Sequence, residues 1–247
     1  MGFNVLILGG TSEGRALSER LARDDRFASV VSYAGRTRSL QLPSTPHRVG
    51  GFGGVDGLAS YLRRERVDAL VDTTHPFAAR MSAHAVEAAA VTGTPLLRLA
   101  RPVWQPLPGD QFIEVADMHA AAAALGTRPK QVFLSVGRQE IGAFAAAPQH
   151  DYLVRAVDAF DTGLPRARVL AERGPFDFKR ERALLVRECI ELMVSKNSGT
   201  EATYPKIAAA RELGLPVIMV QPPKLAPAPE AGSLDEVLHW LDAQAAE

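Results

Sequence analysis

The run Phe3-Asn4-Val5-Leu6-Ile7-Leu8-Gly9-Gly10-Thr11-Ser12-Glu13-Gly14-Arg15-Ala16-Leu17 carries an apolar strand through a glycine turn into a helix, a junction suited to holding a phosphate. Glycine lets the main chain approach a ligand and take positive φ, while the unpaired N–H groups and positive pole of the new helix face an anion. Gly9, Gly10, Thr11, Ser12 and Glu13 are therefore the candidate cradle of a dinucleotide pyrophosphate. Their order departs from the G-x-G-x-x-G fingerprint, so the next strand must decide. Just beyond a strand expected near 29–34 stands Gly35-Arg36-Thr37-Arg38, where such folds meet the adenosine ribose. It offers no carboxylate; two guanidiniums and a hydroxyl suit a ribose 2′-phosphate and favour NADPH over NADH. The competing readings are a turn that only closes the unit and a solvated basic loop.

Three further segments could do chemistry. Gly50-Gly51-Phe52-Gly53-Gly54 excludes side chains, which implies close passage of a ligand or of neighbouring backbone, with Gly53 the candidate cofactor contact. In Val71-Asp72-Thr73-Thr74-His75-Pro76 an apolar strand empties into polar groups at mid-sheet, with Pro76 expected to begin a helix. Thr73 and Thr74 suit a ribose or nicotinamide amide and His75 a substrate contact or a proton donor; simple helix capping is the alternative. Ser195-Lys196-Asn197-Ser198-Gly199-Thr200 sets a cation beside amide and hydroxyl donors ahead of a helix expected over 201–213, which suits a carboxylate or phosphate. Arg138 and Arg173 lie in two more basic loops expected on the same edge, and together these groups suggest a pocket for an acidic substrate.

The elements that must position these loops alternate as βαβ units, implying an α/β fold with mainly parallel sheets. Strands are expected near 3–8, 29–34, 47–50, 68–73 and 95–99, and again near 111–115, 131–136, 151–157, 168–172, 190–195 and 216–220. The proline-rich stretch 101–109 is the natural linker, dividing a cofactor domain, 1–102, from a substrate domain, 103–247, with an active-site cleft between them. A last helix starts at Ser233, where Ser233 and Glu236 form a capping box, and is expected within the second domain.

The 247 residues balance 28 Lys and Arg against 28 Asp and Glu, which argues against nucleic acid or an anionic membrane as partner. No long apolar run or leader pattern is present, and a cytoplasmic location is expected. The six histidines and the single cysteine, Cys189, show no metal-ligand spacing, so no metal is expected. Cys189 is expected to be buried and unreactive. No GxSxG elbow or P-loop lysine appears.

Read in order, GGTSEGRAL, GGFGG with GLASYL, DTTHPFAARMSAHA, LRLARPVW, LSVGRQEIGAF, RGPF, and LMVSKNSGT followed by KIAAARELGLPVIMV closely resemble the precorrin-6A reductase family of cobalamin biosynthesis. The resemblance spans nearly the whole chain. It implies two Rossmann-like domains and NADPH-dependent reduction of one macrocyclic double bond, precorrin-6A to precorrin-6B. The tetrapyrrole's many carboxylates would account for the basic loops, and transient contact with neighbouring pathway enzymes follows from the same likeness. Hydride transfer needs orientation rather than a nucleophile, so His75, Lys196 and Tyr204 are candidates only for supplying the accompanying proton. Alternatives are reduction of the cobalt-bound macrocycle or of another acidic small molecule, a two-domain nucleotide-sugar transferase, and a nucleotide-binding regulatory module.

Overall fold

A computed structural model describes residues 2–35 and 44–246. The chain divides into two compact units, Met1–Pro102 with Lys224–Glu247, and Val103–Pro223. Each is a Rossmann-like α/β unit on one six-stranded sheet.

The first unit runs β1 (Phe3–Leu8), α1 (Ser12–Leu21), β2 (Phe27–Tyr33), β3 (His47–Val49), α2 (Val55–Arg64), β4 (Ala69–Asp72), α3 (Ala79–Thr92) and β5 (Leu96–Leu99). The strands read as short apolar runs because helices cover both faces; all of β4 and the last four residues of β1 are buried. Leu17 and Leu21 of α1 pack on one face, Leu58 and Leu62 of α2 on the other. Each such side chain contributes about 1.5–3 kcal/mol when fully buried. β1 pairs in parallel with both β2 and β4, so the strand order reverses there and the loops after β1 and β4 flank the switch point.

The second unit runs β6 (Gln111–Val115), α4 (Met118–Ala124), β7 (Gln131–Ser135), β8 (Asp151–Ala156), β9 (Ala167–Ala171), α5 (Phe178–Arg187), β10 (Leu192–Lys196), α6 (Pro205–Glu212) and β11 (Pro216–Val220). Its order is β6-β11-β10-β7-β8-β9, all parallel, with the reversal between β7 and β10. The loops after those two strands therefore occupy the second unit's own switch point.

The chain then returns to the first sheet as β12 (Glu230–Ala231) and α7 (Leu234–Ala245). This corrects the expectation that the last helix belongs with the second domain. β12 pairs with β5, and Val237 and Leu241 of α7 are buried against Leu17, Leu21 and Leu97. Ser233 caps α7 by accepting from the Glu236 N–H at 3.2 Å, while the Glu236 carboxylate reaches back to the Gly232 N–H and the Ser233 hydroxyl in place of the Ser233 N–H of a full capping box.

Three local expectations also change. Pro76 sits in a turn closed by the Ala78 N–H donating to the His75 carbonyl, and α3 starts at Ala79. The helix expected from Glu201 starts at Pro205, because a 3-10 turn over Glu201–Thr203 precedes it and proline needs no N–H partner at the first helical position. Cys189 is exposed, since the chain leaves α5 through a left-handed residue there, φ 50°, which turns the thiol outward.

Candidate active site

In the first unit the glycine turn joins β1 to α1 and is open on one side. Gly10 has φ 123° and nothing within 4 Å of where a Cβ would stand, so the turn is open on that side. Gly9 is the reverse case: a Cβ there would come within 2.6 Å of Val31 Cγ1. Thr11 caps α1 by accepting from the Gly14 N–H and donates its own hydroxyl to the Thr73 carbonyl at 2.8 Å. Gly14 must be small, because its Cβ would collide with Thr73 Oγ1.

Glu13 in the first turn of α1 would repel an anion, but its carboxylate is paired with Arg101 at 3.0 Å and accepts from the Ser12 hydroxyl at 2.8 Å. Burial lowers the Arg101 pKa from its ordinary value, opposed by Glu13. The side chain of Glu13 is thus neutralised, and it and Ser12 are left to offer a ligand chiefly their main-chain N–H groups. Arg101 was not singled out from sequence, since the pairing spans most of the first unit.

Thr73 does not offer its hydroxyl to a ligand, contrary to expectation. It is buried and donates to the Leu8 carbonyl at 2.7 Å, tying the loop after β4 to the end of β1. Thr74 remains half-buried, its hydroxyl and N–H both donating to Asp72. Asp72 also accepts from Ser82 at 2.6 Å and lies 3.6 Å from Arg98. Arg98 in turn donates to Glu230 and to the Ala226 carbonyl, so the returning segment braces this loop. His75 Nδ1 accepts from the Phe77 N–H at 3.2 Å, which puts the proton of the neutral ring on Nε2.

Gly53 has φ 85° and open space around it, whereas a Cβ at Gly57 would collide with the Phe52 carbonyl. The glycine-rich loop is braced by Arg48, which donates to Ser32, Gly50 and Gly51 and stacks 3.9 Å from the Phe52 ring centre. Arg48 too was missed from sequence, where it reads as an ordinary strand arginine. Gly35, φ 70°, lies at the end of the segment after β2; Arg36, Thr37 and Arg38 lie outside the described residues.

In the second unit the loops after β7 and β10 meet through charge. Lys196 Nζ donates to Glu140 at 2.9 Å, and Gly137 makes room for that carboxylate, which a Cβ would strike. Arg138 is exposed, with its guanidinium 5.1 Å from the Phe160 ring centre. Ser198 is buried and Gly199 takes φ 68°. Asn197 does not face outward as expected: its amide accepts from the Trp104 N–H and donates to the Trp104 carbonyl, so it clamps the linker.

Tyr204 keeps its own O–H proton but is held within the second unit. Its hydroxyl accepts from Arg211 near the far end of α6, and its ring packs 5.8 Å from that of Trp104. Arg173 lines a cavity of about 440 Å³ with Arg155, Glu172, Phe176 and Glu181, a lining that includes neither Arg138 nor Lys196. Among the described residues no cluster of His, Cys, Asp and Glu could hold a metal ion, and no helix is long and apolar enough to cross a membrane.

Comparison with known proteins identifies the family. The family described as precorrin-6x reductase CbiJ/CobK matches residues 4–242. A precorrin-6A reductase of Sinorhizobium sp. is 49% identical over 96% of this chain and 93% of its own length. That of Rhodobacter capsulatus is 46% identical over 96% and 95%. A solved CobK precorrin-6A reductase superposes with a TM-score of 0.94 at 44% identity, covering 99% of this chain and 97% of the other. The chain belongs to the precorrin-6x reductase family.

Proposed function

We propose that this protein reduces precorrin-6A to precorrin-6B with NADPH. The observation that carries the cofactor half is the open, positive-φ turn at Gly10 leading into a capped α1, with the Glu13 carboxylate already neutralised by Arg101. Gly9 to Glu13 would hold the pyrophosphate through main-chain N–H groups, and Arg36, Thr37 and Arg38 the ribose 2′-phosphate. Gly35 and Gly53 would let the chain pass close to the adenosine side, and Thr74 would meet the ribose or the nicotinamide amide. Bound NADPH supplies a hydride, and the protein contributes orientation and electrostatics.

The substrate half rests on Lys196, Ser198, Gly199, Arg138 and Arg173, cations and small donors suited to acetate and propionate carboxylates. Lys196, fixed by Glu140, acts as an anchor for anions. His75, with its proton on Nε2, Lys196 and Tyr204 are the candidates for delivering the proton that accompanies the hydride. Family membership leaves no support for a nucleotide-sugar transferase or a regulatory module without turnover.

The test is anaerobic incubation of the protein with precorrin-6A and NADPH. We expect NADPH loss matched by a gain of two hydrogens in the macrocycle's mass. Reduction of the cobalt-bound macrocycle alone would move the assignment to that substrate, and absence of NADPH binding would overturn the reading of the first unit's loops.

A further inference from the structure

Lys206, the second residue of α6, is 5% exposed, although it is a lysine. Among the described residues the nearby ion pairs join Lys196 to Glu140 and Arg155 to Glu172 and Glu181, and none reaches Lys206. Its Nζ donates to the Thr203 carbonyl at 3.2 Å and lies 5.2 Å from the centre of the Trp104 ring. Both contacts belong to the framework of the loop after β10. Thr203 ends the 3-10 turn that follows Gly199 and Thr200, and Trp104 is the residue that Asn197 clamps.

The charged groups facing this amine come from several elements. Glu181 of α5 favours the ammonium, while Arg155 of β8 and Lys196 of β10 oppose it. The positive pole of α6 opposes it as well. Glu172 and Glu140 are already engaged by Arg155 and Lys196, and β11 brings no charge. Burial is the largest influence and brings the amine down to about 7. A small change in nearby charge therefore decides whether Lys206 is an amine or an ammonium.

We propose that Lys206 is a positioning residue that takes up a proton when a polycarboxylate docks against the loop Lys196–Gly199, so that substrate binding and the anchoring of that loop are one protonation-linked event. The proposal rests on the reading of this loop as the substrate's anion site. Added carboxylates favour the ammonium, which then bonds the Thr203 carbonyl and the Trp104 ring more strongly than the neutral amine does. The complex holds more protons than the free protein, so affinity rises as pH falls toward about 7. Below that value the free lysine is already charged and the dependence ends.

The test is calorimetric binding of precorrin-6A, without NADPH, in buffers of differing ionisation enthalpy at about pH 8, on the wild type, Lys206→Arg and Lys206→Met. We expect uptake approaching one proton for the wild type and none for either variant, with several-fold weaker binding by Lys206→Met. Wild-type affinity should fall by up to about tenfold per pH unit above the amine's titration point. Wild-type binding without proton uptake, or either variant keeping the full uptake, overturns the proposal and leaves the anion-site reading standing. No wild-type binding at all overturns both. The pH series on the wild type alone decides the matter if neither variant folds, a flat affinity being the contrary result.

Discussion

In the first unit the loops after β1 and β4 are joined by neutral bonds, Thr11 to the Thr73 carbonyl and Thr73 to the Leu8 carbonyl, whereas in the second the loops after β7 and β10 meet through the Lys196–Glu140 ion pair. Both pairs of loops flank the reversal of a six-stranded parallel sheet. The difference lies in what is left for a ligand. Hydroxyls that satisfy carbonyls leave main-chain N–H groups facing outward, which suits the phosphates common to every dinucleotide. Charged side chains of chosen length select instead for the number and spacing of carboxylates. On the function proposed above, one backbone design would serve a general cofactor in one unit and a particular substrate in the other.

Breaking the charge beneath the first unit's neutral loops should have the largest effect. Asp72→Ala removes the buried one of the two carboxylates beside Arg98 and orphans the hydroxyls of Thr74 and Ser82, leaving only the half-exposed Glu230, and we expect a loss of about 3–5 kcal/mol in denaturant unfolding. A loss below about 1 kcal/mol would mean that Arg98 is solvated and the loop is not braced from behind. Gly14→Ala drives a Cβ into Thr73 Oγ1, and should cost about 1–3 kcal/mol while weakening NADPH in a fluorescence titration. Unchanged NADPH affinity would show that the Thr11–Thr73 lock does not shape the cradle.

Arg36→Ala sharpens the comparison on the cofactor side. We expect NADPH to weaken by tenfold or more, about 1.5–3 kcal/mol for a charge-assisted bond, with NADH unaffected. Equal losses for both would remove the 2′-phosphate role. Arg138→Ala is the counterpart in the second unit: the macrocycle's KM should rise several-fold while NADPH binding stays the same. At the bottom of the scale, Arg20→Ala removes an ion pair with Asp235 whose side chains are 50% and 85% exposed, and unfolding should shift by less than about 1 kcal/mol.

Much of this was legible in the residues because its causes are local. Apolar runs bounded by turns placed all the longer strands, and the glycine turn and the Ser233 cap of α7 are contained within a few residues. The parts not legible depend on partners distant in sequence. Arg101 reads as a linker arginine until Glu13 is beside it, and Asn197 reads as a ligand donor until Trp104 takes its amide. β12 is two residues long, too short for any periodicity, so although the proline-rich stretch 221–229 reads as a surface crossing, the strand that it leads to in the first sheet does not show in the sequence. Thr73 was chosen for having a hydroxyl, but the Leu8 carbonyl occupies it.

The central claim, direct hydride delivery from a cofactor held by the first unit's loops, is best tested by turnover of precorrin-6A with NADPH deuterated at one or the other C4 position. We expect one deuterium in the reduced macrocycle from one of the two labelled cofactors and none from the other. Reduction that carries no deuterium from either would contradict it.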